Sequence, residues 1–310
     1  MQYLKTLAPL PAPGGTAVAL GFFDGVHIGH RAVIGAAAGY AAAHGLIPAV
    51  FTFGLPANSA IKGGRILSDA EKHRRIAALG IEWYLAPAFE EFRALSPEQF
   101  VSEVLLGLYH ARAVFCGENF TVGKNKAGTV AVLRRLCAAA GVEVCTLPMA
   151  RHEGTPISST RIRAALEAGD IPGVNAMLGE AYRIDFAVRR GHGLGRTLGV
   201  PTINQVYPPG FVMPRYGIYI TRARVGGGWY AGATGLGTRP TVNTTGEGPT
   251  CETFLQDFCG DAYGEQAELE FCRYLCPSRK FDTLEALRGC INDAAAEARR
   301  YFAAKGGAEG

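Results

Sequence analysis

The chain has 310 residues, a formal net charge of +4, 48% hydrophobic residues and 19% charged residues. This length predicts two domains, each able to bury its own core, and the composition excludes an intrinsically disordered chain. The arginine doublets lie far apart, so no basic stripe for nucleic acid is expected, while the modest positive charge suits polyanionic small molecules.

The eight cysteines are scattered without C-x-x-C spacing, which predicts reduced, mostly buried thiols rather than a zinc site. Prolines interrupt the N-terminal segment, and no apolar run is long enough to span a bilayer. We therefore expect a cytoplasmic protein without a membrane partner. The sequence leaves the oligomeric state open.

Strand-like runs alternate with helical segments over the first half of the chain. The expected strands are Ala17–Leu20, Ala49–Phe53, Glu82–Leu85, Ala113–Cys116 and Val142–Leu147. Ser68 with Glu71, and Ser96 with Gln99, form capping boxes that predict two helix starts. This alternation predicts an α/β domain with a parallel sheet, in which ligands bind at the carboxyl ends of the strands.

The segment GFFDGVHIGH follows the first expected strand and opens the next helix. His27 and His30 are three residues apart, so they share one helix face near the positive end of the helix dipole. Zinc would need further ligands, and only Asp24 is near, whereas phosphate suits exposed backbone amides and imidazole. The alternative is an ordinary exposed or capping histidine pair.

The segment ISSTRIR begins another helix with an N-cap cluster of Ser158, Ser159 and Thr160. Arg161 and Arg163 then fall in the first turn, where the dipole disfavours each cation by about 0.3–1 kcal/mol. Two arginines in this place are explained by a bound anion. The alternative is a solvated basic helix start.

After about residue 180 the pattern changes to alternating apolar and polar residues between turns rich in glycine or proline. This pattern predicts an antiparallel barrel or sandwich. A closing helix is expected with Asp282 as its cap and Glu285 completing the box. Its apolar face is expected to contain Leu284, Leu287, Ile291 and Ala298. The expected divisions are a domain over 1–180, a domain with a C-terminal helix over 181–303, and a disordered tail over 304–310.

The segment GHGLGRTLGVPTINQ is not a Walker A loop, although its glycines would let backbone amides approach phosphate. The Thr202 hydroxyl and the Asn204 carbonyl are hard oxygen ligands suited to Mg²⁺. The alternative is an ordinary glycine-rich hairpin. Glu252 alternates with Phe254 along an expected strand, where a lone carboxylate is commonly just solvated.

GFFDGVHIGH and ISSTRIRAALEAGD, about 130 residues apart, resemble the nucleotidyltransferase half of the bacterial bifunctional riboflavin kinase/FAD synthetases. The P-T-x-N run, GLGTRPTVN and DAYG are similar to their riboflavin kinase half. The resemblance implies a Rossmann-like domain that transfers AMP from ATP to FMN, then a small β-barrel kinase domain. Its substrates and products would be riboflavin, FMN, FAD and ATP, with Mg²⁺ as the metal.

The resemblance also implies roles for individual residues. His27 and His30 would be catalytic in adenylyl transfer. ATP would be bound there by Gly21, Phe22, Asp24, Gly29, Asn119, Ser159, Thr160, Arg161 and Arg163. In the kinase half, Glu252 would be the general base and Thr202 and Asn204 would hold Mg²⁺. ATP or flavin would be bound by Gly193, Gly195, Arg196, Thr202, Asn204, Gly237, Arg239 and Pro240.

Three segments depart from the family pattern. FTFGLPAN lacks a histidine that commonly stands near the nucleotide, Thr121-Val122 replaces Arg-Phe, and YLCPSRKF has Cys276 and Ser278 where an arginine and an acid are usual. The FTFGLPAN departure leaves one alternative, a riboflavin kinase with a weakened or inactive adenylyltransferase domain. An alternative of another class is a flavin-binding or RNA-binding regulatory protein on the same scaffold, which would consume no ATP.

Overall fold

The computed structural model describes residues 1–12, 14–53, 63–190, 202–238, 248–278 and 283–306. Its contacts group the chain into two units. The first contains Met1–Ala60 and Lys72–Ser159, and the second contains Ile61–Glu71 and Thr160–Gly310. The boundary between the two functional domains, expected near residue 180, stays a prediction.

The two helices before residue 180, Ser159–Ala168 and Ile171–Leu178, are hydrogen-bonded to the chain that follows them. Asn175 donates its side-chain amide to the carbonyl of Phe271 at 2.9 Å and accepts the Tyr182 amide at 2.7 Å. The Arg215 amide donates to the carbonyl of Leu166 at 3.0 Å. These hydrogen bonds attach the second of the two helices to strand residues of the second unit, and the first to Arg215 in the loop that precedes a strand.

The first unit is built on a parallel sheet, as its strand and helix alternation predicts. Its strands are β1 (Gln2–Leu4), β2 (Thr16–Leu20), β3 (Ile47–Phe51), β4 (Trp83–Leu85), β5 (Ala111–Gly117), β6 (Thr121–Val122), β7 (Gly128–Thr129), β8 (Glu143–Leu147), β9 (Arg151–His152) and β10 (Thr155–Pro156). The order β1-β4-β3-β2-β5-β8 forms one sheet with every pair parallel. The pairs β6–β7 and β9–β10 are antiparallel. All five expected strands are confirmed, and β1 is an edge strand that the sequence analysis missed.

Helices connect these strands, and two further helices follow the last of them. The helical segments are α1 (Ile28–His44), α2 (Asp69–Ala77), α3 (Phe89–Phe92), α4 (Pro97–Gln99), a π-helix (Phe100–Leu108), a 3₁₀ turn (Lys124–Lys126), α5 (Val130–Ala138), α6 (Ser159–Ala168) and α7 (Ile171–Leu178). The capping box at Ser96 and Gln99 is confirmed, because each side chain accepts the other's backbone amide. Ser68 Oγ accepts the Glu71 amide at 3.0 Å and so begins α2.

The second unit contains a curled antiparallel sheet. Its strands are β11 (Tyr182–Ile184), β12 (Val188–Arg189), β13 (Thr202–Val206), β14 (Gly217–Val225), β15 (Gly228–Gly237), β16 (Thr250–Leu255) and β17 (Glu268–Cys276), in the order β11-β17-β14-β15-β16-β13-β12. Gln205 in β13 donates to the carbonyls of Phe186 and Ala267, at 2.6 and 2.8 Å. These bonds connect the two ends of the sheet, so the expected small antiparallel barrel is confirmed.

The final helix, α8 (Leu284–Gly306), extends past its predicted C-terminal end. Thr283 is its cap, since Thr283 Oγ1 accepts the Ala286 amide at 3.1 Å, while the expected cap, Asp282, lies outside the described residues. The helix continues through residues 304–306, which the sequence analysis assigned to the tail. Among the side chains of this helix that are described, Ala294, Ala295 and Ala298 are buried and Ile291 is half-buried, while Leu284 and Leu287 of the expected face lie outside them.

All eight cysteines are free thiols, as expected. The expectation that most are buried was wrong: Cys116, Cys137 and Cys251 are buried, Cys259 is exposed, and the other four are half-buried. Across the described ranges, no helix is both long enough and apolar enough to cross a membrane.

Candidate functional site

The turn between β2 and α1 has an unusual backbone. Phe23, Gly25 and Val26 have φ values of +54°, +84° and +45°. This region suits glycine, but for phenylalanine and β-branched valine it costs on the order of 1–3 kcal/mol each. Such a turn persists only where surrounding contacts hold it in place.

Three side chains hold the backbone carbonyls of this turn. Thr52 Oγ1 and Lys72 Nζ donate to the carbonyl of Phe22 at 2.9 and 2.7 Å. Ser159 Oγ donates to the carbonyl of Asp24 at 2.9 Å. The structure thus brings the predicted residues Phe22, Asp24 and Ser159 together, and it adds Thr52 and Lys72, which the sequence analysis missed.

The two histidines lie where this turn enters α1. His27 is the N-cap residue of the helix, and its Nδ1 accepts the His30 amide at 3.3 Å. The two rings stack with centroids 3.5 Å apart and an interplanar angle of 18°. An added Cβ on Gly29 would lie 3.2 Å from His27 Cε1, so the glycine leaves room for the His27 ring.

The capping alternative is therefore confirmed for His27, and phosphate binding by the pair stays a prediction. Because Nδ1 accepts a hydrogen bond, the hydrogen-bond network assigns the proton of the neutral ring to Nε2. The Nε2–H group is a hydrogen-bond donor of the kind that phosphate oxygens accept.

Burial determines the charge of the pair. It lowers the pKa of His27 from 6.5 to about 4. The pKa of His30 also lies well below its ordinary value, because of burial first, and then because of the positive charges of His27 and Lys72. His30 Nδ1 is fully enclosed and has no hydrogen-bond partner among the described residues. At pH 7 both rings are thus neutral hydrogen-bonding groups rather than cations.

The topology places this turn at a ligand-binding position. β2 lies between β3 and β5, so the strand order reverses at the edge where β2 and β5 end. Open α/β sheets bind their ligands in the crevice at such a reversal. Asn119, another predicted residue, follows β5 by two positions, is exposed, and lies at this same edge.

The second predicted anion motif divides between the two units. α6 begins at Ser159, within the predicted N-cap cluster, and Thr160, Arg161 and Arg163 are grouped with the second unit. Arg163 is the fifth helical residue, so only Arg161 lies in the first turn. Arg163 is buried, and its Nε donates to the carbonyl of Gly64 at 2.7 Å.

In the second unit, the predicted kinase residues meet across two neighbouring strands. Asn204 of β13 is directly opposite Glu252 of β16, and Thr202 is opposite Phe254. Directly opposed residues of an antiparallel pair point to the same face of the sheet. Glu252 is therefore on the face of Thr202 and Asn204, and it is exposed. On its other side Glu252 faces Gly235 of β15, which adds no side chain.

Several expected residues fall outside the described part of the chain. They are Gly193, Gly195, Arg196, Arg239 and Pro240. Gly237 is described as the last residue of β15. Of FTFGLPAN, only the first three residues are described, and the Phe53 ring stacks on the Phe22 ring at 4.7 Å.

One signal for Lys72 was present in the sequence. Lys72 follows the capping box of Ser68 and Glu71, so it lies in the first turn of a predicted helix, against the dipole. The same argument selected Arg161. A cation in the first turn of a helix can thus be recognised in the sequence, but the sequence does not show which atoms it contacts.

Two family profiles match the chain in the predicted order. The FAD synthetase profile matches residues 10–161, and the riboflavin kinase profile matches residues 178–302. The bifunctional riboflavin kinase/FMN adenylyltransferase of Bacillus subtilis is 36% identical over 93% of this chain and 92% of that protein. Its counterpart in Listeria monocytogenes is 33% identical over 92% of each chain.

A solved structure, described as a macrolide-efflux protein from Streptococcus pneumoniae, has a TM-score of 0.85 with this chain. It is 27% identical, and the match covers 96% of this chain and 98% of that one. The two profiles and the full-length relatives support the bifunctional reading rather than either alternative. By these similarities, the chain belongs to the family of bifunctional riboflavin kinase/FMN adenylyltransferases.

Proposed function

We propose that this chain uses separate sets of residues for the two reactions of its family. Riboflavin and ATP give FMN and ADP, and FMN with a second ATP gives FAD and pyrophosphate. The observation that carries the proposal is the stacked pair of His27 and His30 at the strand-order reversal of the parallel sheet. The substrates are small molecules, and the proposal includes no nucleic-acid or membrane partner. It places the enzyme in the cytoplasm, where free thiols stay reduced.

In adenylyl transfer, a phosphate oxygen of FMN attacks the α-phosphorus of ATP and pyrophosphate leaves. His27 and His30 donate hydrogen bonds to the phosphate oxygens as charge develops on them, and the first amides of α1 add to this stabilisation. Because both rings are neutral before ATP binds, the bound polyphosphate would raise their pKa values. ATP binding by Thr160, Arg161 and Arg163 rests on the family resemblance and stays a prediction.

In the kinase reaction, Glu252 takes the proton of the ribityl hydroxyl as that oxygen attacks the γ-phosphorus of ATP. ADP leaves, and the protein contributes mainly positioning and charge stabilisation. The Thr202 hydroxyl and the Asn204 amide carbonyl are hard oxygen donors on the face that carries Glu252, so this donor set fits Mg²⁺. Bound there, Mg²⁺ would neutralise phosphate charge.

The test is product chromatography after incubating the purified protein with riboflavin, ATP and Mg²⁺. The parent protein should produce FAD, and His30→Ala should accumulate FMN. Glu252→Gln should lower FMN formation by about 10²–10⁴-fold while still converting supplied FMN to FAD.

Each alternative predicts a different result. Accumulation of FMN by the parent protein would indicate an inactive adenylyltransferase domain, and retained flavin without ATP consumption would indicate a regulatory protein. Full FAD formation by His30→Ala would exclude the proposed role of the histidine pair.

A further inference from the structure

Lys72 is buried in a place that is unfavourable for a cation. It is the fourth residue of α2, within the first turn, and only 9% of its surface is exposed. The positive end of the helix dipole and the loss of hydration both disfavour an ammonium group there. Contacts that stabilise the group must offset both effects, and those contacts indicate its role.

The ammonium group of Lys72 contacts Phe22, in the turn between β2 and α1. Nζ donates to the carbonyl of Phe22 at 2.7 Å and to Thr52 Oγ1 at 3.2 Å. Thr52 Oγ1 in turn donates to the same carbonyl at 2.9 Å. Nζ also lies 5.1 Å from the centroid of the Phe22 ring, at cation–π distance. Lys72 therefore fixes both the backbone and the ring of Phe22.

Fixing this carbonyl constrains the following residue. The peptide group is planar, so the direction of the Phe22 carbonyl sets the direction of the Phe23 amide. Phe23 has a φ of +54°, and its ring meets the edge of the His30 ring with centroids 5.4 Å apart. Contacts thus lead from Lys72 through Phe22 and Phe23 to His30.

Lys72 also acts on His30 through its charge. The positive charge is one of the causes that lower the pKa of His30, after burial and the charge of His27. This places the ammonium group within electrostatic reach of the ring.

We propose that Lys72 is a positioning residue for adenylyl transfer. It holds the strained turn between β2 and α1 in the conformation that orients His27 and His30, and it keeps a positive charge beside His30. This inference rests on the proposed adenylyltransferase role of the site.

The experiment compares Lys72→Met, which removes the donor and the charge, with Lys72→Gln, which keeps a neutral donor. Lys5→Met, at an exposed lysine, is the matched control. FAD formation from FMN and ATP is measured for kcat and KM, and riboflavin phosphorylation is measured on the same preparations. His30→Ala is assayed in parallel.

For Lys72→Met we expect kcat for FAD formation to fall by at least about tenfold, because small misplacements of catalytic groups are costly. KM for ATP should change less than kcat, and riboflavin phosphorylation should stay within about twofold of the parent. Lys72→Gln should recover part of the lost kcat, since its shorter side chain still supplies a neutral amide donor on the side of the Phe22 carbonyl. Lys5→Met should match the parent protein.

Three results would overturn the inference. They are FAD formation by Lys72→Met within about threefold of the parent, a parallel loss of both activities, and a Lys72→Gln rate no better than that of Lys72→Met. If Lys72→Met does not fold, Lys72→Gln alone decides. A rate of FAD formation by Lys72→Gln equal to the parent's overturns the inference, and a decrease in FAD formation without a decrease in riboflavin phosphorylation supports it. A parent that forms no FAD, or an active His30→Ala, would instead refute the proposed function. Loss in His30→Ala with retention in Lys72→Met would refute only the role of Lys72.

Discussion

Replacing His27 with asparagine should change how the stability of the first unit depends on pH. Asparagine is a good N-cap residue, so the acceptor for the His30 amide is preserved while the titrating ring is removed. The pKa of His27 is lowered from 6.5 to about 4 in the folded protein. A decrease of this size corresponds to about 3 kcal/mol between the two protonation states.

The protein loses stability as the pH falls, because His27 takes up its proton at a higher pH in the unfolded chain than in the folded protein. The contribution of neutral His27 is complete above its unfolded pKa of 6.5 and is lost as the pH decreases towards about 4. At pH 5 the parent protein should already have lost about 2 kcal/mol through this residue. His27→Asn should lack that loss.

The assay is urea unfolding at pH 7.5 and pH 5, followed by tryptophan fluorescence. The chain has two tryptophans, Trp83 in the first unit and Trp229 in the second. In a Trp229→Phe background, the signal of Trp83 reports the first unit alone. Between the two pH values, the free energy of unfolding of His27→Asn should decrease by about 2 kcal/mol less than that of the parent.

Equal decreases in both proteins would refute the reasoning. An independent measurement is the NMR titration of the His27 ring in the parent. A midpoint near 6.5 would show that burial does not keep this ring neutral, and the hydrogen-bonding account of the pair would then be wrong.

Two further substitutions test the glycines that the geometry requires. Gly29→Ala places a Cβ 3.2 Å from His27 Cε1, so the ring must move, and FAD formation should fall about tenfold while FMN formation persists. Unchanged chromatographic yields of FAD would show that the ring tolerates the shift. Gly64→Ala places a Cβ against the backbone nitrogen of Val212 at a φ of +81°, which should destabilise the second unit by about 2 kcal/mol or more. Urea unfolding followed by circular dichroism measures this, and a change below about 0.5 kcal/mol would contradict it.

Local sequence patterns predicted the secondary structure well because the signals themselves are local. The box of Ser96 and Gln99 appears where expected, and Glu252 lies on a strand. Prediction was poorer at ends and edges. The short edge strand β1 was missed, and the last helix continues into the expected tail, because short strands and helix ends have weak local signals.

The sequence by itself determined the order of the elements, the histidine pair, the kinase motif and the family, because these depend on residues close together in the chain. Only the tertiary structure decided which long-range contacts complete the sites. Lys72 binds the carbonyl of a residue 50 positions away, and the register of β13 and β16 places Asn204 opposite Glu252. The neutral state of His27 was also decided there, because burial sets its pKa and burial depends on the folded chain.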